Sequence, residues 1–431
     1  MYYCGFKTYM YKIQGVLGII VFIGIAYLLS SSRTKVKWSI VIKAILLQVV
    51  LSLLIANIQM VYTFFQGVSL FFVKIYTFSK EGSLFMFGDL VNTDKMGWIF
   101  ALQVLPSLIF FSALFSLLYY MRILPLIING FSRFMRKTMG ISGAESLAAA
   151  GNIFLGQSEA PLLIKPLLPN LTRSELFCLV VGGFATISGT ILGSVSGMMG
   201  EGNVEVSSYY ATHLLIASVL SAPAAIMIAK IMEPETMEIT DKAFRLNYKQ
   251  MNNTNFLDAI ASGTIDGLRL ALNVGAMLLV FVALIALLNY LLSSWIGEPL
   301  GINNAIGQLL SLEYILGIIF YPVAWLLGVP QVDLLEIARL IGEKTAINEI
   351  YAFGSLKEML SQGTLKNPKS ALIASYALCG FSNFSSLGIM IGGIAALAPT
   401  RRSEVAQLSM KGLVAGTLAS LVTAAIAGIV L

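Results

Sequence analysis

The segment Gly143-Ala144-Glu145-Ser146-Leu147-Ala148-Ala149-Ala150-Gly151-Asn152-Ile153-Phe154-Leu155-Gly156-Gln157-Ser158-Glu159-Ala160-Pro161-Leu162-Leu163-Ile164 decides the fold. Its apolar arms are too short to cross about 30 Å of hydrocarbon, and its centre, Gly156-Gln157-Ser158-Glu159, is polar. A second segment, 333 to 366, has the same layout around Asn348-Glu349. Neither fits a full crossing, so each reads as a helical hairpin that enters and leaves by one face.

The rest of the chain supplies the membrane. Of its 431 residues 57% are hydrophobic and 12% charged, against roughly 25% charged in a soluble domain. Apolar runs at 13–30, 39–65, 97–121, 174–200, 207–231, 259–293, 371–397 and 405–431 are long enough to span. The amphipathic stretch 70–92 is expected to lie along the interface, and the apolar segment 309–328 near the outer face. The expected fold is an all-α polytopic membrane protein, with about eight transmembrane helices plus two re-entrant helical hairpins in an inverted repeat.

The net charge of +6 is spread over loops rather than gathered in one stripe, so it reads as topology and not as a nucleic-acid surface. Arg33, Lys35 and Lys37, then Arg122, Arg133, Arg136 and Lys137, then Lys242, Arg245 and Lys249, and finally Arg401-Arg402 mark the cytoplasmic side. The loop Gly200 to Glu205 carries no Lys or Arg and is expected outside. Both termini then fall outside a plasma (inner) membrane. The run after Lys7 and Lys12 resembles a signal peptide but lacks an Ala-x-Ala-like site, and reads as the first span.

Several chemistries are excluded. Gly342-Glu343-Lys344-Thr345 lacks the glycines and the Gly-Lys pair of a phosphate loop, and the spans leave no room for an ATPase domain. Cys4, Cys178 and Cys379 have no metal-ligand spacing, and the single histidine, His213, cannot form a ligand cluster. No cofactor and no enzyme activity are expected. An intramembrane enzyme is the remote rival: Gly156-Gln157-Ser158-Glu159-Ala160 only superficially matches a nucleophile elbow.

The two halves repeat. The run Phe111 to Tyr120 matches Phe281 to Tyr290 at Phe, Ala, three Leu and Tyr. Each copy continues into a polar-tipped hairpin and then a Gly-Phe-x-x-x-Ser helix, Gly183-Phe184 with Ser188 and Gly380-Phe381 with Ser385. Charge parity makes the copies cross in opposite directions, the signature of a secondary transporter with broken helices at the midplane. A glutamate at membrane depth costs about 2.5–3.5 kcal/mol on insertion scales, so Glu159 and Glu349 read as markers of a substrate or ion path. Asn383, one of four polar side chains that interrupt an apolar span at 380–386, is also costly unless its amide is satisfied.

The runs Asn152 to Pro161, Ser174-Glu175-Leu176-Phe177, Asn348-Glu349 and Cys379 to Ser386 together resemble the concentrative nucleoside transporters over essentially the whole chain. The resemblance implies a trimeric, elevator-type symporter driven by sodium. Gln157, Ser158 and Glu159 would read the nucleobase; Glu349, Asn383 and Ser386 the ribose; Phe381 would pack on the ligand. The sodium ligands would be the side chains of Asn152 and Thr186 and the carbonyls of Leu155 and Ile187, with Thr186 standing where Ser is familiar. Proton coupling through Glu159 or Glu349 is the nearer alternative. A neutral nucleoside requires no Arg clamp. The implied organisation is residues 1–142 as scaffold helices and interfacial helix and 143–232 as the first half of a transport domain. Residues 233–332 would be the cytoplasmic linker, a scaffold span and an outer-face helix, and 333–431 the second half of the transport domain. The partners implied are a nucleoside, sodium, the bilayer and two further copies of the chain.

Overall fold

The computed structural model describes residues 2–96, 99–157, 160–165, 167–201, 203–237, 254–307 and 309–431. The first half contains α1 (Tyr2–Leu28), α2 (Trp38–Asn57), α3 (Gln59–Phe87), α4 (Thr93–Met96), α5 (Phe100–Gln103), α6 (Leu105–Tyr120) and α7 (Ile123–Met139). It continues with α8 (Gly143–Asn152), α9 (Ala160–Leu163), α10 (Arg173–Ala185), α11 (Gly189–Gly200) and α12 (Val204–Met232). The second half contains α13 (Phe256–Leu291), α14 (Ile302–Ile306), α15 (Leu312–Leu326), α16 (Leu334–Ala346) and α17 (Glu349–Ser361), then α18 (Pro368–Leu378), α19 (Phe384–Leu397) and α20 (Arg402–Val430). Among the described residues eight helical stretches are long and apolar enough to cross a membrane. The protein is an all-α, multi-pass membrane protein.

Burial sorts these helices. The stretches Arg173–Gly200 and Val204–Met232 are enclosed by protein over their whole apolar length, whereas the one centred on α13 buries little of its own. A helix apolar all round must lie in a core or face lipid. Here α10, α11 and α12 take the first place, and α13, with Leu272, Leu279 and Leu287 exposed, takes the second. α13 packs on α6 in the opposite direction: Gly263 meets Ala113 and Ser116, Gly267 meets Ile109 and Ser112, and Gly275 meets Leu105. The small-residue pair Gly263 and Gly267 lets the two backbones approach closely. These are the helices that carry the Phe111 and Phe281 runs, so the expected inversion of the repeat holds.

Hairpin 1 is α8 and α9, and hairpin 2 is α16 and α17. Ser142 opens α8 and Thr172 opens α10, each with a reciprocal capping box, closed by Glu145 and Glu175. The returning arm of hairpin 1 is short: α9 opens with Pro161 in its first turn and ends at Leu163, and Pro169 lies in a single 3-10 turn, Leu168–Asn170, before α10. The helix following each hairpin is itself broken, between Ala185 and Gly189 and between Leu378 and Phe384.

Three expectations are corrected. The span expected over 371–397 is not one continuous helix but α18 and α19, divided between Leu378 and Phe384, and it is not among the eight long apolar stretches, which include Gln59–Val91 instead. The span expected over 39–65 ends at Asn57, where Ile58 is extended, and residues 59–65 begin α3 instead. The stretch 70–92 is not a separate interfacial element up to Phe87 but the body of that 29-residue helix, itself long and apolar enough to cross. Its Gln66, Lys74 and Lys80 gave it a surface character that length overrides. The strongly amphipathic helix is α7, which buries Leu124, Ile128, Met135 and Met139 and carries Arg133, Arg136 and Lys137.

Candidate functional site

The two helix breaks touch at the centre of the protein. Gly380 holds φ of +100°, and a Cβ there would sit 2.7 Å from the Ala185 carbonyl oxygen, so only glycine admits this approach. Ser382 Oγ donates to the Phe184 carbonyl at 2.9 Å. Each hairpin then packs on the break of its own repeat: the Gly189 amide donates to the Phe154 carbonyl at 2.9 Å, and Ser385 Oγ donates to the Ile347 carbonyl at 3.3 Å. The two helix breaks and an end of each hairpin therefore meet in one region, and irregular backbone of this kind is tolerated in a membrane only where it faces protein, ions or a water-filled cavity.

Glu349 is the first residue of α17 and is buried at 4% exposure. Asn383 Nδ2 donates to its Oε2 at 2.9 Å. The Asn383 Oδ1 accepts from Ser385 Oγ at 2.7 Å and from the Ser386 amide at 2.9 Å, so the same side chain caps α19 and holds the carboxylate. Asn348 caps α17 in the same way, accepting from the Tyr351 amide at 2.9 Å. Two half-helix N-termini thus present their positive ends beside Glu349. Phe381 and Ser386 are buried in the same turn of chain.

From hairpin 1, Gln157 is buried with its Oε1 lacking a hydrogen-bond partner among the described residues. It lies against Gly183 of α10, where Met390 of α19 also reaches, so its environment includes both broken helices. Ser158 and Glu159, expected at this tip, lie outside the described residues.

Asn152, at the end of α8, is 1% exposed, and neither its Oδ1 nor its Nδ2 has a hydrogen-bond partner among the described residues. A buried amide without partners costs about 1–3 kcal/mol and calls for a ligand. It abuts Gly182 on the last turn of α10. Thr186 Oγ1 donates to the Gly182 carbonyl at 2.8 Å, which leaves its oxygen lone pairs available. Ile187 and Leu155 are buried beside them, and Ser218 Oγ of α12 donates to the Ile153 and Ile187 carbonyls at 3.1 and 3.4 Å. The donor set is oxygen throughout, as a hard monovalent cation requires. Sequence reasoning missed two features. Lys344, buried at 2%, donates to the Ala377 and Cys379 carbonyls. At the base of hairpin 1, Lys230 is buried in ion pairs with Glu145 and Glu235. In both cases only the tertiary fold brings the partners together.

Family models match in three parts: the N-terminus of Na+-dependent nucleoside transporters over residues 17–90, a nucleoside recognition gate over 101–202, and the C-terminus of Na+-dependent nucleoside transporters over 213–428. An uncharacterized transporter of Haemophilus influenzae is 40% identical over 97% of this chain and 98% of its own. The nucleoside permease NupC of Helicobacter pylori is 35% identical over 96% of each. CNTnw in an inward-facing substrate-bound state superposes with a TM-score of 0.87 at 36% identity over 97% of each chain. A variant of it in an outward-facing state gives 0.88 at 36% identity over 98% of this chain and 99% of that one. These relatives are transporters, not enzymes. The broken helices, the paired hairpins and full-length similarity converge on one conclusion: the chain belongs to the Na+-dependent, concentrative nucleoside transporter family.

Proposed function

We propose that the protein is a secondary active symporter that imports nucleosides with sodium across the plasma (inner) membrane by an elevator movement. The observation that carries this reading is the Glu349–Asn383 pair held between two half-helix N-termini at the meeting point of the breaks. A carboxylate and an amide suit the two adjacent hydroxyls of a ribose. In this reading Glu349, Asn383 and Ser386 bind the sugar, Phe381 packs on the ligand, and Gln157, Ser158 and Glu159 read the base. Asn152, Thr186 and the carbonyls of Leu155 and Ile187 hold sodium, and the Asn152 amide, buried without a hydrogen-bond partner among the described residues, supports that assignment.

The moving unit comprises residues 143–232 and 333–431, sliding against a scaffold of 1–142 and the span within 233–332. Three copies form the assembly, with the termini outside. The energetics suffice: a tenfold sodium gradient supplies about 1.4 kcal/mol and 100 mV about 2.3 kcal/mol per charge, enough for roughly a few hundredfold accumulation. The test is uridine uptake into proteoliposomes in sodium or choline buffer at fixed pH. Uptake that requires sodium is expected; equal uptake in choline moves the assignment to proton coupling.

A further inference from the structure

The inverted repeat makes two equivalent niches for a cation, and only one of them is open. In repeat 1, α8 packs on α10, and the niche lies where the end of α8 meets the end of α10. There the Asn152 amide, without a hydrogen-bond partner among the described residues, lies against Gly182, whose carbonyl accepts from Thr186 Oγ1, and the Ile153 and Ile187 carbonyls converge on Ser218 Oγ. In repeat 2 the same pair of elements is α16 on α18. Helix C-termini leave carbonyls without intrahelical partners and carry the negative end of the dipole, so each niche attracts positive charge. Half-helix C-termini serve as sodium ligands in transporters built this way.

We infer that the ammonium of Lys344 is a tethered cation occupying the repeat 2 counterpart of the sodium niche, which restricts the protein to one coupling sodium. Lys344 sits in the last turn of α16, and its stem carries Nζ to the carbonyls of Ala377 at 3.0 Å and Cys379 at 3.2 Å. The Cys379 carbonyl is held from the other side by Ser420 Oγ at 3.0 Å. With 2% exposure, Lys344 is among the largest fully buried side chains of the protein, and its donors go to backbone carbonyls. Carbonyl oxygens are the ligands a bound sodium would also take. A fixed charge there satisfies the break without ion release, and its charge travels in both directions of the cycle, so it adds nothing to the net charge moved.

The inference rests on sodium coupling, and the experiment separates the two. Wild type, Lys344→Ser and Lys344→Met are reconstituted in proteoliposomes, and uridine uptake is followed against external sodium together with the charge moved per uridine. Wild type is expected to show a Hill coefficient of about one and one charge per uridine; Lys344→Ser, which leaves room for an ion, is expected to rise to about two in both. Lys344→Met fills the space without charge or donors and is expected to stay inactive at every sodium concentration. A packing role predicts the reverse order, with Met tolerated better than Ser. The inference is overturned by a Hill coefficient of two in wild type, by an unchanged coefficient in Lys344→Ser, or by Lys344→Met working as well as Lys344→Ser. Where Lys344→Ser proves too unstable for uptake, thermal unfolding in detergent against sodium decides: steeper stabilisation than wild type is expected, and its absence overturns the inference. Wild-type uptake independent of sodium would instead remove the coupling reading on which all this stands.

Discussion

At the scale of single residues, the site is a set of polar groups whose costs must be met by ligands. Glu349 receives one hydrogen bond from Asn383 and has a second oxygen to offer a ligand. A hydrogen bond to a charged group contributes about 1.5–3 kcal/mol, so Glu349→Gln is expected to weaken uridine binding by about 10- to 150-fold. Titration calorimetry checks this, and unchanged affinity would mean that the sugar contact lies elsewhere. The Asn152 amide is the complementary case, because it is buried and has no hydrogen-bond partner among the described residues. A ligand that binds only the folded state at a hundred times its dissociation constant stabilises it by about 2.7 kcal/mol. Sodium is therefore expected to raise the melting temperature of the wild type and to leave that of Asn152→Ala unchanged, as read by thermal unfolding in sodium against choline.

At the scale of elements, the breaks depend on a few contacts that admit no alternative. Gly380→Ala would put a methyl against the Ala185 carbonyl in a left-handed backbone region, and is expected to cost about 1–3 kcal/mol and to lower the melting temperature. Gly388→Ala, eight residues on, has open space around it and is expected to be neutral or stabilising by up to about 1 kcal/mol. At the base of hairpin 1, Lys230 of α12 pairs with Glu145 of α8. Lys230→Met leaves that carboxylate buried and unpaired, with an expected loss of about 3–5 kcal/mol. Adding Glu145→Gln is expected to recover part of it, since the two residues are coupled.

The hairpins and breaks were legible in the sequence because polar residues inside apolar runs have few explanations in a membrane. Glu349 and Asn383 stood out for that reason, and the structure brings them into direct contact, whereas Asn152 was marked only by the family resemblance. The division between α2 and α3 was not legible, because nothing stronger than Asn57-Ile58 marks it. Lys230 and Lys344 were also hidden. A lysine in a helical run reads as a surface charge until the fold supplies the carboxylates or carbonyls it meets.

At the scale of the whole molecule, the ion pairs separate into two ends. Lys230, Glu145 and Glu235, with Lys411 of α20 on Glu233, tie hairpin 1 to α12 and α20 at one end. Lys357 of α17 on Glu201, at the turn from α11 to α12, ties hairpin 2 to the first repeat at the other. Together with the touching breaks, these contacts bind α8 to α12 and α16 to α20 into one body, consistent with a unit that moves whole. The antiparallel pair α6 and α13 meets that body through α6, whose Phe115 and Phe111 lie against Gly189 and Gly193 of α11 and whose Ser107 hydroxyl is 2.7 Å from that of Ser194, while α13 shows much of its apolar surface.

In the proposed function, one buried constellation built by both repeats binds a nucleoside and is completed by sodium. Equilibrium binding of uridine to the purified protein, with sodium and with choline in its place, tests it most directly. Affinity is expected to fall at least about tenfold when sodium is removed, a coupling of about 1.4 kcal/mol between the two ligands. Equal affinity in the two buffers would contradict it.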